Sequence, residues 1–207
     1  MRPLSRVFAV TTDEICRVSD FGVRAAAIAA LGPAAALVVR APGSTAAQHA
    51  AFTERVVALA RPAEATVIVH ARPDLARAAG AHGVQLRRQD LRADDARRVL
   101  GPGWIGVSVH SRDEAESALA EGADFLVAGN VFETSTHPDR PPRGLAWLAE
   151  LCRLGWPVVA IGGVTPERAS ALRQAGAWGA AAISALWTSD DPAAAAAALA
   201  SPWTEDA

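Results

Sequence analysis

The chain has no lysine and no tyrosine, and only one methionine and two cysteines among its 207 residues. All 20 positive side chains are therefore arginines, set against 22 carboxylates, for a formal net charge of −2. With a pI near 6.2 the chain lacks the basic footprint that would point to nucleic acid or an anionic membrane surface. Cys16 and Cys152 stand in no CxxC or ligand spacing, which fits a reduced compartment. No apolar run reaches the roughly 18 residues of a membrane span, and the Met1 end opens into a strand-like segment in place of an apolar leader. The expectation is a soluble cytoplasmic protein with neither a membrane nor a nucleic-acid partner. A homodimer is compatible with the sequence and not required by it. The arginine and alanine bias is compositional and carries no functional meaning.

What the chain does have is apolar material, 51% of its residues, and a regular alternation of short strand and helix signals. Strand candidates are Arg6–Val10, Ala35–Arg40, Thr66–His70, Gly83–Leu86, Trp104–His110, Asp124–Asn130, Val158–Ile161 and Ala177–Ile183, all short apolar runs of the kind buried on both faces. Helices are expected over Asp13–Ser19 with an irregular continuation to Leu31, then Ser44–Leu59, Asp74–Ala79, Leu91–Leu100, Ser111–Glu121, Gly144–Leu154, Thr165–Ala175 and an outer tail, Asp191–Ala200. One phrase recurs: Ala79-Gly80-Ala81, Glu121-Gly122-Ala123 and Ala175-Gly176-Ala177 each close a helix on a glycine and open a strand. About eight such alternations in one domain predict a single (β/α)8 TIM barrel over residues 1–207, with a doubly wound open sheet as the alternative.

Such a barrel gathers its chemistry at the C-terminal ends of the strands. The polar and glycine residues placed there are Arg40, His70, Gln85, Ser108, His110, Asn130, Gly162, Gly163 and Ser184. Period-two alternation puts Ser108 and His110 on one side of their strand. The stretch Pro157–Leu186 reads strand, Gly-Gly turn, helix N-capped by Thr165 before Pro166, strand, and its two strand ends are candidate phosphate-binding turns. Trp104 and Trp178, near strand starts, suit the barrel floor. His49 and His82 are expected to be structural.

The segments GVSVHS (106–111), GADFLVAGNVFETST (122–136), PVVAIGGVTPE (157–167) and AAISAL (181–186) resemble the thiamine-phosphate synthase/TenI family along nearly the whole chain. The resemblance implies a TIM barrel that binds a thiazole phosphate or thiamine phosphate. It places the phosphate on the main-chain N–H groups of Gly162-Gly163 and Ile183-Ser184. It puts Thr134 and Thr136 at the thiazole end and Ser108 toward a pyrophosphate. The synthases' Gln-x-Arg-x-Lys becomes Val38, Arg40 and Pro42 here, and their Asn-Asp-Arg becomes His70-Ala71-Arg72. Of the synthases' magnesium-binding pair only Asp90 is left, and an Asp alone suits a local cap better than a metal site.

Gly83–Leu86, Asn130–Thr134 and Pro142–Leu145 resemble the TenI branch more closely. That branch implies a thiazole tautomerase working by general acid/base chemistry without metal or other cofactor. Its proton-shuttling histidine matches Asn130, an amide that orients a ligand and does not titrate. His70 and His110 are the replacement candidates, with His137 in the adjoining loop, and Arg40 is a candidate for an anionic group of the substrate. The alternatives are a thiamine-phosphate synthase, which would call for Mg²⁺ and Asp90, and a non-catalytic binder of thiazole or thiamine phosphate.

Overall fold

The computed structural model describes residues 2–134 and 139–204. Eight parallel strands close into a barrel in chain order: β1 Val7–Val10, β2 Ala35–Val39, β3 Thr66–His70, β4 Gly83–Leu86, β5 Trp104–Val109, β6 Phe125–Ala128, β7 Val158–Ile161 and β8 Gly179–Ala182. Between and after them run helices α1 Phe21–Ala29, α2 Ala46–Ala60, α3 Pro73–Ala78, α4 Ala93–Leu100, α5 Arg112–Ala120, α6 Gly144–Cys152, α7 Ala169–Gln174, α8 Ser184–Trp187 and α9 Pro192–Ala200. This is the TIM barrel that the alternation predicts, and the open-sheet alternative is excluded by the β1–β8 pairing.

Period-two alternation sorts each strand into two layers. Phe8, Val10, Val38, Ile68, Phe125, Val127 and Val159 form the plug inside the barrel. Their neighbours Val7, Ala9, Leu37, Val39, Val67 and Val69 face outward and join the helices in the larger core. Gly106 on β5 is required by this plug, because a Cβ there would run into the Phe125 ring. The Phe125 ring packs against Phe8 with centroids 5.7 Å apart. At the strand starts Trp104 and Trp178 close the floor, their indole N–H groups each donating at 3.1 Å to the carbonyls of Arg2 and Ser5. The Arg6 guanidinium lies 3.6 Å from the Trp178 ring centre. A filled interior and a capped floor leave the opposite end to carry a site.

The recurring glycine phrase closes its helices as expected. Gly80, Gly122 and Gly176 have φ of 69°, 91° and 93°. In each case the following alanine N–H donates to the carbonyl five residues back, Ala81 to Ala76, Ala123 to Ala118 and Ala177 to Leu172. The helix expected over Asp13–Ser19 is not formed. Only a 3₁₀ turn, Ile15–Arg17, occurs there, and the α-helix lies downstream at Phe21–Ala29. The Asp13 carboxylate accepts from the Gly43 N–H at 3.1 Å and is not free to start a helix. The helically spaced apolar set Phe21, Ala25, Ile28 and Ala29 supplies the buried face instead.

Directly after β3, Ala71 has φ +63°, a left-handed conformation that a Cβ disfavours and that Asn and Asp adopt far more readily. Ala71→Asn is therefore expected to raise the free energy of unfolding by about 0.5–1 kcal/mol. Urea unfolding of the two proteins checks this, and a less stable variant would contradict it.

Candidate functional site

The C-terminal strand ends surround a cavity of about 740 Å³, within the range that takes a cofactor-sized small molecule. The side chains or turns of Arg40, His70, Ser108, His110, Asn130, Thr134, Gly162, Gly163, Ile183 and Ser184 all line it. The sequence-derived site residues thus come together in one mouth, apart from Thr136 and His137, which lie outside the described residues, and Asp90, which is not in the lining.

The two proposed phosphate turns are neighbours. Ile161 pairs with Ala181 across β7 and β8, so Gly163 and Ile183 each follow two residues later on adjacent strands. Gly162 and Gly163 have φ of +95° and +62°. A Cβ on Gly162 would meet Asn130, and one on Gly163 would meet the Glu133 carbonyl. Close packing of the β6 and β7 ends therefore demands glycine at both positions. The bearing on an anion comes from the N–H groups: among the described residues neither Gly163 nor Ser184 donates to a backbone acceptor. Unpaired amides at adjacent strand ends are the donors that phosphate sites use.

The remaining wall is polar and held in place. Buried Gln85 donates to the Ser108 hydroxyl oxygen at 3.1 Å, which leaves the Ser108 O–H as a donor. The Asn130 amide donates to the carbonyls of Phe132 and Arg140 at 3.3 and 3.1 Å, tying down the loop after β6. His110 lies just beyond β5. Its backbone N–H donates to Glu114 at 2.6 Å, and its ring Nδ1 lies 3.4 Å from the same carboxylate. His70 is mostly buried at the end of β3. Desolvation first, then the charges of Arg40 and Arg87, push its pKa down to about 4, so its ring is neutral at pH 7.

Sequence reasoning did not single out Arg87, Arg140 and Arg168, which also line the mouth. Arg168 donates to the Gly163 carbonyl and lies 4.7 Å from the Phe132 ring centre, bracing the glycine turn. Its place three residues after Thr165, in the first turn facing back toward Gly162-Gly163, was the available signal. His49, expected on a helix face, is buried beneath it with Nε2 unpartnered among the described residues.

Asp90 caps the turn after β4. Arg87 donates to it from its backbone N–H at 2.8 Å and from Nη2 at 2.7 Å, occupying both carboxylate oxygens. Burial alone would raise the Asp90 carboxyl, but these bonds outweigh it and hold it below the usual carboxylate range. Position 71, where the resemblance puts the second carboxylate, is alanine. Among the described residues no group of three or more His, Cys, Asp or Glu gathers as a metal site. A hard dication needs several oxygen ligands, and these residues do not fit one.

The chain matches the family described as TMP-TENI, thiamine monophosphate synthase, over residues 7–186. It is 45% identical over 171 residues to a thiamine-phosphate synthase of Anaeromyxobacter dehalogenans, covering 81% of this chain and 77% of that one. A thiamine-phosphate synthase of Laribacter hongkongensis is 37% identical over 191 residues, 91% of this chain and 90% of the relative. Among solved structures, a thiamine phosphate pyrophosphorylase from Pyrococcus furiosus superposes with a TM-score of 0.85 at 31% identity, covering 99% of this chain and 98% of that one. Both sequence relatives bear the synthase name, so the synthase alternative of the sequence reading is better supported than the tautomerase.

The depressed His70 pKa has a signed consequence. An unfolded-state histidine titrates near 6.5 and the folded one near 4, so the unfolded chain binds more protons between these values and stability falls as pH drops through that window. His70→Gln is expected to remove up to about 3 kcal/mol of that acid sensitivity. Chemical denaturation of both proteins at pH 7, 5 and 4 checks it, and parallel pH curves would count against a buried neutral His70.

Proposed function

The chain belongs to the thiamine monophosphate synthase family, and from that premise we propose that it is itself a thiamine-phosphate synthase, joining a thiazole phosphate to a pyrimidine pyrophosphate with release of pyrophosphate. The observation that carries this reading is the pair of adjacent strand-end turns with unpaired amides, Gly163 and Ser184, in the same mouth as an arginine. In the proposal the thiazole phosphate rests on the main-chain N–H groups of Gly162-Gly163 and Ile183-Ser184, with Thr134 at the thiazole end. Ser108 and Arg40 face the pyrophosphate, whose charge grows as it leaves and is stabilised by preplaced donors. Asn130 frames the pocket through its loop contacts. The work asked of the site is positioning two anionic substrates and holding the leaving group.

Tautomerisation asks for something different, a group that takes up and returns a proton near neutral pH. Asn130 does not titrate, and His70 holds its proton only below a pH of about 4. His110 beside Glu114 is the remaining candidate for that reading.

The two are separated by incubating the protein with both half-substrates, with and without Mg²⁺, and following thiamine phosphate by chromatography. Product formation is expected, with Arg40→Ala lowering kcat/KM at least tenfold. Absence of product under both conditions would overturn the synthase reading. Aromatisation of a thiazole isomer in that case would assign the tautomerase, and binding of the thiazole phosphate without either reaction would assign a binder.

A further inference from the structure

We infer that a polyanion in this mouth is neutralised by guanidinium groups, Arg40 first among them, and not by a divalent cation. The proposed function identifies the polyanion as a pyrophosphate ester, so the inference rests on that reading for the ligand's name.

The Asp90 carboxylate, in the turn after β4, has both oxygens engaged by Arg87. A dication approaching Asp90 would have to displace that guanidinium or stand against it, like charge beside like charge. The partner position has lost its carboxylate, yet Ala71 keeps a left-handed backbone, φ +63°, of the kind Asp and Asn occupy readily. The backbone for a second ligand is there and the oxygen donors are not.

Arg40 supplies charge of the right kind in the right place. Its backbone is fixed on both sides by buried Thr11, whose hydroxyl oxygen accepts from the Arg40 N–H at 2.9 Å while its O–H donates to the Arg40 carbonyl at 3.0 Å. The side chain is half-buried at the cavity wall, and among the described residues its guanidinium has no ion pair or hydrogen bond. Arg88, which lines the same cavity, is instead bound to Glu121 and Ser117. A half-buried guanidinium without a counter-charge favours an anion, and its planar fork matches phosphate oxygens two at a time. His70 adjoins it as a neutral ring, so it adds no second positive charge beside the guanidinium.

The test is calorimetric titration of the whole chain with inorganic pyrophosphate, in EDTA and then in Mg²⁺ with free pyrophosphate corrected for its magnesium complex. The expected result is saturable binding in EDTA that Mg²⁺ does not tighten by more than twofold. Arg40→Gln should weaken it at least tenfold, Arg40→Lys should recover part of the loss, and Arg88→Gln should stay within twofold of the wild type. Binding that appears only with Mg²⁺, an Arg40→Gln affinity within twofold, or no binding in either buffer would each overturn the inference. Pyrophosphate binding does not depend on turnover. Binding in EDTA without thiamine phosphate formation would sink the synthase reading alone, whereas product formation with magnesium-dependent binding would sink this inference alone.

Discussion

Neither Gly162 nor Gly163 has room for a Cβ, and the site depends on that contact. Asn130 and the Glu133 carbonyl press against the turn from the end of β6, and Arg168 braces it from the far side by holding the Gly163 carbonyl. The β6 and β7 ends are thereby locked to each other. Since β7 and β8 are in register, Gly163 and the Ile183-Ser184 turn follow adjacent strand ends into the same mouth. The proposed anion site would thus be shaped by backbone packing, with the side chains around it adding charge.

The electrostatics of the mouth follow from what replaced what. Where the family resemblance calls for carboxylates and a lysine, this chain has alanine, proline and a carboxylate closed off by Arg87. The net effect is a pocket in which positive charge comes from guanidinium groups, and in which the His70 imidazole is driven to its neutral form. A neutral His70 adds no positive charge of its own, so the positive charge of the mouth rests on its arginines. The filled barrel interior and the tryptophan floor contribute indirectly, by keeping the polar groups at one end in a low-dielectric wall where such charges act more strongly than in water.

Much of this was legible in the residues. The eight strand positions, the glycine-closed helices and the gathering of Arg40, His70, Ser108, Asn130 and Gly163 at one end all follow from local pattern plus the rule that strand ends converge. The Asp13–Ser19 helix was not, because nothing local announces that Asp13 is committed to Gly43, thirty residues away. The locking of Asp90 by Arg87 was likewise hidden, since adjacency in sequence does not say which oxygens a guanidinium takes. Arg168 carried only a positional signal, three residues after Thr165, and its contacts with the Gly163 carbonyl and the Phe132 ring belong to the folded turn. The preference for the tautomerase came from weighing lost side chains, and the relatives at 37% and 45% identity weigh toward the synthase.

The central claim is that main-chain amides at two adjacent strand ends hold the substrate's phosphate. The most direct measurement is a ¹H–¹⁵N spectrum of the labelled chain titrated with thiazole phosphate. The account predicts that the Gly163 and Ser184 amide resonances move furthest and saturate together. Saturating shifts confined to other residues, with those two amides unmoved, would contradict it.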